Sequence, residues 1–212
     1  MPVIKFNLNG GGIRAGDILE VRSKGRWSNA ISYALGSTFS HDAIFIQHNG
    51  FYIGDSIPLR SRLTPLWTYE HRMMTGEIRV RTIRPIRATK LQGLQASDYW
   101  ATHIDGTLYD FLAYPKLAIK CLGRFMTDHQ ISHLPDWFKK WLNTAAGLEW
   151  CNWCTEGCET SWAFGPCFDP WMNKGNSTPR TTEIRREQGM FEKIPGLVID
   201  GVLSCDSIGV GA

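Results

Sequence analysis

Two residues suited to thiol chemistry stand at the starts of predicted elements. His41 opens an apolar run that continues to Ile46 and is typical of a strand. Cys154 opens a segment with the pattern of a helix, which Gly165-Pro166 closes. A helix N-terminus and a nearby imidazolium both stabilise the thiolate, which is the reactive form of cysteine. We therefore predict that Cys154 is a nucleophile and that His41 is its base.

A third candidate residue follows from a predicted hairpin. Asn49-Gly50 separates two apolar runs, and such a pair is a strong hairpin signal. Asp55 lies on the second strand of this hairpin, and His41 opens the first. The Asp55 carboxylate can therefore reach the second imidazole nitrogen and fix the tautomer of His41. Two alternatives stay open: Asp55 belongs to a Gly-Asp-Ser turn, or His48 orients His41.

The residues around the predicted nucleophile also have structural interpretations. Free cysteine is among the most buried residue types, so Cys154 can be an inert core residue, as we expect for Cys158 one turn later. Cys151 competes for the role of nucleophile, but it precedes the predicted helix start, where the helix dipole does not reach. Glu156 is predicted to be a first-turn acid that stabilises the helix.

Six cysteines are present, and four of them follow the spacing Cys151-x2-Cys154-x3-Cys158-x8-Cys167. A disulfide framework is not expected in a chain of this size without a visible secretory signal. Structural zinc sites usually pair two close clusters, and here the second pair lacks its close spacing. We therefore predict no metal and no other cofactor, and a zinc-stabilised structural protein remains the alternative.

Composition indicates one soluble globular domain over residues 1–212. The chain is 43% hydrophobic and 20% charged, and no apolar run is long enough to cross a bilayer. The N-terminus lacks the basic and apolar regions of a secretory signal, so we expect a cytoplasmic or non-classically delivered protein. With 23 basic and 20 acidic side chains, the formal net charge is only +3, and no nucleic-acid partner is expected.

Arginines cluster on one predicted strand. Arg79 and Arg81 alternate with apolar residues, and Arg84 and Arg87 follow them. The pattern favours a solvated outer face over the alternative of an anion-binding patch, because one strand face is not a groove.

Strands are predicted mostly in the first half of the chain and helices mostly in the second. The predicted strands are Gly16–Val21, Asp42–Gln47, Phe51–Asp55, an arginine-bearing strand over 77–83, and a last strand at Phe191–Ile194. The predicted helices are Ser28–Leu35, Lys90–His103, Asp110–Leu122, Asp136–Leu142, Cys154–Phe164 and Thr181–Gln188. The resulting class is α+β, with strands and helices largely segregated.

Five short motifs in the two halves of the chain carry a family resemblance. They are Gly16-Asp17-Ile18-Leu19, the His41 strand, Tyr52-Ile53-Gly54-Asp55-Ser56, Gly106-Thr107-Leu108-Tyr109 and Cys154-Thr155-Glu156-Gly157. Together they resemble the NlpC/P60 papain-like cysteine peptidases. Because the histidine half comes first, the order is similar to that of the circularly permuted members, which include YiiX-like bacterial proteins and the lecithin:retinol acyltransferase-like enzymes.

The resemblance implies a papain-like fold with circular permutation, in which a small antiparallel sheet or half-barrel packs against helices. It also implies that Tyr109 donates a hydrogen bond near the oxyanion position. Residues 116–150 are longer than the usual connection, and we expect them to form a helical insertion.

We expect a cysteine-dependent amidase or peptidase, or an acyltransferase, that forms a thioester at Cys154. Relatives act on peptidoglycan peptides or on lipid acyl groups, so the expected partner is a peptide, peptidoglycan or lipid-derived substrate. Trp150 and Trp153 flank Cys154 and can form an aromatic wall for the substrate. The rival hypothesis is a catalytically silent papain-like binding module.

Overall fold

The fold is described from a computed structural model of the chain, over residues 1–57, 60–108, 154–166 and 179–207. The strands are β1 Ile4–Phe6, β2 Ile18–Ser23, β3 His41–Gln47, β4 Phe51–Ile57, β5 Arg60–Pro65, β6 Ile78–Pro85, β7 Phe191–Lys193, β8 Leu197–Ile199 and β9 Val202–Ser204. The helices are α1 Arg26–Leu35, α2 Leu66–Met74, α3 Lys90–Tyr99, α4 Cys154–Phe164 and α5 Pro179–Glu187, with a π-helical turn over Trp100–Ile104 that extends α3. No helix in these ranges has the length and apolar character that a bilayer crossing requires.

A six-stranded antiparallel sheet has the strand order β5-β4-β3-β2-β6-β7, and a separate three-stranded sheet has the order β1-β8-β9. The predicted hairpin joins β3 to β4. Its turn residues Asn49 and Gly50 have φ angles of 50° and 146°, a region that favours these two residue types. This turn sets the register in which Ile44 lies opposite Gly54. The strands that carry His41 and Asp55 are therefore neighbours.

The large sheet is covered on both faces. On one face, Phe45 of β3 belongs to an apolar cluster that includes Tyr69 of α2. On the other face, Ile44 belongs to a cluster that includes Trp100 and Trp162. Because successive side chains of a strand point to opposite faces, odd-numbered residues of β3 face α2 and even-numbered residues face α4.

The side chain of Trp100 packs between helix α4 and the sheet. Its side chain is fully buried. A Cβ atom added to Gly157 of α4 would lie 2.6 Å from the Trp100 ring, and one added to Gly54 of β4 would lie 2.5 Å from it. Both distances are too short for real carbon contacts, so the indole fits between helix and strand because both positions are glycine.

Replacing Gly157 by alanine is expected to destabilise the protein by about 1–3 kcal/mol through overpacking against Trp100. Helix propensity alone would change stability in the opposite direction, by roughly 1 kcal/mol, so the sign of the effect identifies the contact. Urea unfolding measures the difference. Gly10→Ala is the matched control, because no atom lies within 4 Å of a Cβ added there. A more stable Gly157→Ala protein would contradict the close approach.

Local sequence signals predicted most of these elements correctly. The helix predicted over 28–35 is α1, which ends at Gly36 in the left-handed conformation. The helix predicted from Cys154 to Phe164 is α4, and the segments predicted over 181–188 and 191–194 are α5 and β7. The helices predicted over 110–122 and 136–142, and the insertion expected at 116–150, lie outside the described residues.

The α+β class with antiparallel sheets is confirmed, but the described strands and helices are less segregated along the chain than predicted. Helices α1 to α3 alternate with strands in the first half, and three strands follow α5. The sequence did not predict strand β5, because its buried side chains include the polar Ser61 and Thr64 and the segment therefore lacks an apolar alternation. The sequence did not predict helix α2 either, because this helix follows Pro65 and has no side-chain cap that would mark its start.

The arginine-bearing strand is β6, and the prediction of a solvated face is wrong for two of its arginines. Arg84 donates from Nε and Nη2 to Asp17, at 2.8 Å each. Arg81 Nε lies 2.5 Å from Asp206 Oδ1. Both side chains are mostly buried and paired with carboxylates, since a charged group is buried only where a partner compensates for its lost hydration. Arg79 remains exposed.

Candidate active site

His41 is the first residue of β3, and its ring binds the carboxylate that was predicted to orient it. Nε2 of His41 lies 2.5 Å from Oδ1 of Asp55, and 18% of the His41 side chain is exposed. The register that pairs Ile44 with Gly54 puts Asp55 opposite Ala43, and therefore diagonal to His41. Long side chains span this diagonal spacing between neighbouring strands. The structure thus brings His41 and Asp55 together.

Tyr69 completes a buried chain of hydrogen bonds behind His41. Its hydroxyl donates to Oδ2 of Asp55 at 2.8 Å, so each carboxylate oxygen of Asp55 has a partner. Burial acts to raise the pKa of Asp55, but the charge and hydrogen bond of His41, helped by Tyr69, hold that pKa below its ordinary value. Burial and the Asp55 charge raise the pKa of Tyr69 well above its ordinary value. Asp55 is therefore an anion and Tyr69 a donor at neutral pH.

The tautomer of His41 follows from this chain. An ionised carboxylate accepts hydrogen bonds and cannot donate them, so Nε2 of a neutral His41 carries the proton that Asp55 binds. Nδ1 is then the basic nitrogen of the ring. This is the protonation state that a general base requires.

Cys154 is the first residue of α4, and its side chain lies outside the described part of the structure. The next residue, Thr155, is buried and donates from Oγ1 to Oδ2 of Asp42 at 2.7 Å. Asp42 directly follows His41. The first turn of the cysteine helix is therefore hydrogen-bonded to the start of the histidine strand.

Asp42 also holds a second helix. Oγ1 of Thr182 in α5 donates to Oδ2 of Asp42 at 2.8 Å. Burial raises the pKa of Asp42, although the hydrogen bonds from Thr155 and Thr182 oppose this rise. One buried carboxyl thus ties β3 to α4 and α5, on the face opposite to His41.

Sequence reasoning missed Tyr69, Asp42, Thr155 and Thr182 as contributors to the site. Asp42 could have been found from the sequence, since a carboxyl group inside an apolar strand is expected to be buried and to bind hydrogen-bond donors. Tyr69 could not, because it lies on the helix that the sequence did not predict.

A second buried carboxyl lies beside Asp42. Glu20 of β2 is the cross-strand partner of Asp42, and Oε2 of Glu20 lies 3.1 Å from Nε of Arg186 and 3.7 Å from Nη1 of Arg81. Burial, followed by the charge of Asp42, raises the pKa of Glu20 to about 8, against the opposing charges of Arg186 and Arg81. Glu20 therefore takes up a proton in the folded protein at neutral pH.

This raised pKa predicts how stability changes with pH. The folded pKa exceeds the ordinary value of 4.5, so the contribution of Glu20 to stability is present below pH 4.5 and is lost as pH rises through about 8. Between about pH 5 and pH 8, wild type should lose up to about 3 kcal/mol more than Glu20→Gln. Urea unfolding at both pH values measures this, with exposed Glu77→Gln as the control. An equal pH dependence in wild type and Glu20→Gln would contradict the prediction.

The two alternatives for Asp55 are wrong. Asp55 lies inside β4, whose bounds are Phe51–Ile57, and it is not in a turn. Nδ1 of His48 lies 2.9 Å from Oδ1 of Asp98, at the far end of the hairpin from His41. His48 therefore does not orient His41.

The remaining candidates divide between core and undescribed positions. Cys158 is fully buried in the cluster around Trp100, as expected of a core residue. Tyr109, Cys151 and Cys167 lie outside the described residues, as do Trp150, Trp153 and the side chain of Glu156. Within the described ranges, no group of three or more His, Cys, Asp or Glu side chains could hold a metal ion.

Comparison with known proteins extends the resemblance at the level of fold. No protein-family model matches the sequence, and no curated protein matches it. The chain is similar to the crystal structure of the metalloprotein YiiX from Escherichia coli O157:H7, with 15% sequence identity and a TM-score of 0.51. The match covers 88% of this chain and 95% of that chain. The mixed α+β architecture is therefore consistent with a YiiX-like fold.

Proposed function

We propose that the protein is a cysteine hydrolase of the circularly permuted NlpC/P60 type. Cys154 is the nucleophile, His41 is the general base and acid, and Asp55 orients His41. The hydrogen bond from Thr155 to Asp42 carries this proposal, because it holds the first turn of α4 at the end of β3 that His41 begins, so the proposed approach of Cys154 to His41 passes around that strand end. The YiiX-like architecture supports it, since the similarity extends over most of both chains.

The reaction divides into acylation and deacylation. The Cys154 thiol transfers its proton to Nδ1 of His41, and the thiolate attacks the carbonyl carbon of an amide or ester. His41 then gives the proton to the departing amine or alcohol, which leaves a thioester on Cys154. In deacylation, His41 takes a proton from water, the hydroxide displaces the sulfur, and the proton returns to the thiolate as the acid leaves.

The start of α4 supplies the electrostatic part of this mechanism. The first backbone N–H groups of a helix have no partner within the helix, and they carry the positive end of the dipole. They stabilise the thiolate of Cys154 and then the oxyanion of the tetrahedral intermediate. Tyr109 is proposed as a further donor to that oxyanion, on the resemblance to the family.

The proposed substrates are cell-wall peptides and lipid-derived acyl amides or esters. Hydrolysis uses water as the second nucleophile, and acyl transfer uses an amine or alcohol instead. Both outcomes pass through the same thioester on Cys154.

The test is turnover on a panel of peptidoglycan stem peptides, N-acyl amino acids and phospholipids, followed by mass spectrometry. We expect wild type to release product from at least one class and to accumulate a mass adduct on Cys154 early in the reaction. Cys154→Ala should lose both signals, whereas Cys205→Ala, at a half-buried cysteine that directly follows β9, should keep them. Turnover that persists in Cys154→Ala would exclude the proposed nucleophile.

A further inference from the structure

A cleft of about 740 Å³ lies at the ends of β2 and β6, where α1 begins. Its lining carries five cationic side chains, Arg22, Lys24, Arg26, Arg79 and Arg81, and one carboxylate, Asp206. The whole chain has a formal net charge of only +3. Positive charge is therefore concentrated in this cleft. In the rest of the chain, basic and acidic side chains are nearly equal in number.

Most of this charge has no counter-ion among the residues that the structure describes. Arg81 pairs with Asp206 and lies near Glu20. Among the described residues, no carboxylate forms an ion pair with the other four cations of the cleft. Arg22 is held by neutral acceptors, with Nη1 donating to the Thr38 carbonyl at 2.9 Å and Nη2 to Asn29 Oδ1 at 3.0 Å. These bonds position its guanidinium without neutralising it.

Two of the arginines face each other directly. Arg22 of β2 and Arg79 of β6 are cross-strand partners, so their side chains lie on the same face of the sheet. Like charges directly opposite each other destabilise a sheet. A bound anion placed between them would turn this repulsion into attraction for both side chains.

We propose that this cleft binds a small ligand that carries a phosphate group. A phosphate offers several acceptor oxygens and up to two negative charges, which match paired guanidinium groups better than a single carboxylate does. The volume of the cleft lies within the range of small-molecule sites and is far from the extended groove that a nucleic-acid strand needs. Phe39 supplies an apolar wall, with the Arg81 guanidinium 4.8 Å from its ring centre.

The cleft lies close to the candidate active site in the fold. Thr38 and Phe39 line it and precede His41 by three and two residues. Val21 is the cross-strand partner of His41, and Arg22 is the next residue along β2. The binding of phosphate does not depend on the proposed hydrolase activity, and it can be tested without any turnover.

The test is isothermal titration calorimetry with pyrophosphate at about 150 mM ionic strength, where the Debye length is ~8 Å and distant charges are screened. We expect saturable binding to wild type, weakened about tenfold or more in Arg79→Gln and in Arg26→Gln. Arg60→Gln is the matched control, because it removes the same charge from an exposed position at the β5 edge, and it should bind like wild type.

Unfolding without ligand separates a binding role from a structural one. Arg79→Gln should be at least as stable as wild type, because it removes the repulsion from Arg22, and pyrophosphate should raise the melting temperature of wild type but not of the variant. The proposal is overturned if wild type shows no saturable binding, if Arg79→Gln binds as tightly as wild type, or if Arg60→Gln weakens binding equally. Failure of the hydrolase test would leave these outcomes unchanged.

Discussion

His41→Ala is expected to slow alkylation of Cys154 by iodoacetamide about 100-fold at mildly acidic pH. An ordinary thiol with a pKa near 8.5 is only about 0.3% ionised at pH 6, whereas a thiol beside an imidazolium at a helix start is mostly thiolate. Removal of the imidazole leaves only the helix start to stabilise the anion. Peptide mapping after timed labelling measures the rate at each cysteine separately.

His48→Ala provides the matched control for this experiment. It removes a histidine from the same hairpin, but His48 pairs with Asp98 and not with Asp55. Cys205 serves as a reference within the same protein, because burial and the Asp206 charge raise the pKa of its thiol. If Cys154 reacts no faster than Cys205 in wild type, or equally fast in His41→Ala, then the two groups do not form a catalytic pair.

Asp55→Asn is expected to reduce turnover by about 10³- to 10⁴-fold while leaving the protein folded. An amide in place of the carboxylate donates a hydrogen bond to Nε2 of His41 and moves the ring proton to Nδ1, where it blocks uptake of the thiol proton. The pH profile of Cys154 alkylation should lose its acidic limb in this variant, because the imidazolium loses the anion that stabilises it. Unfolding curves recorded in parallel measure the stability of each variant.

Two further variants serve as comparisons for Asp55→Asn. Tyr69→Phe removes one donor from a buried carboxylate, which costs about 1–3 kcal/mol of stability but leaves the bond between Asp55 and His41 in place. We expect its turnover to fall by roughly tenfold, as one supporting hydrogen bond is lost. Asp98→Asn removes the carboxylate partner of the other hairpin histidine and should leave turnover unchanged. A purely structural role for Asp55 would lower stability without altering the alkylation profile.

The arrangement assigns different tasks to the two faces of β3. On one face, Asp55 and Tyr69 set the protonation state of His41. On the other face, Asp42 binds the first turn of α4 and also α5. Neighbouring residues of one strand thus contact the proposed base and the helix of the proposed nucleophile separately, which follows from the alternation of side chains in a strand.

The contact of His41 with Asp55 could be predicted from sequence because it is local. Fourteen residues and one Asn49-Gly50 turn separate the two side chains, and a short turn fixes the register of its strands. The same holds for the start of α4 at Cys154 and the end of α1 at Gly36, which depend on residues within one helical turn. Such signals are complete within a short window of sequence.

The tertiary structure alone decided what surrounds these residues. Thr155 and Thr182 reach Asp42 across 113 and 140 residues, and no periodicity in the sequence records such a pairing. Arg22 and Arg79 were two separate surface arginines in the sequence, and only the pairing of β2 with β6 makes them face each other across a cleft. Turn and helix signals are short-range, whereas burial, ion pairing and cavity shape arise when distant strands and helices pack. The sequence thus determined which residues are candidates for the reaction, and packing determined their partners, their charge states and the charged cleft beside them.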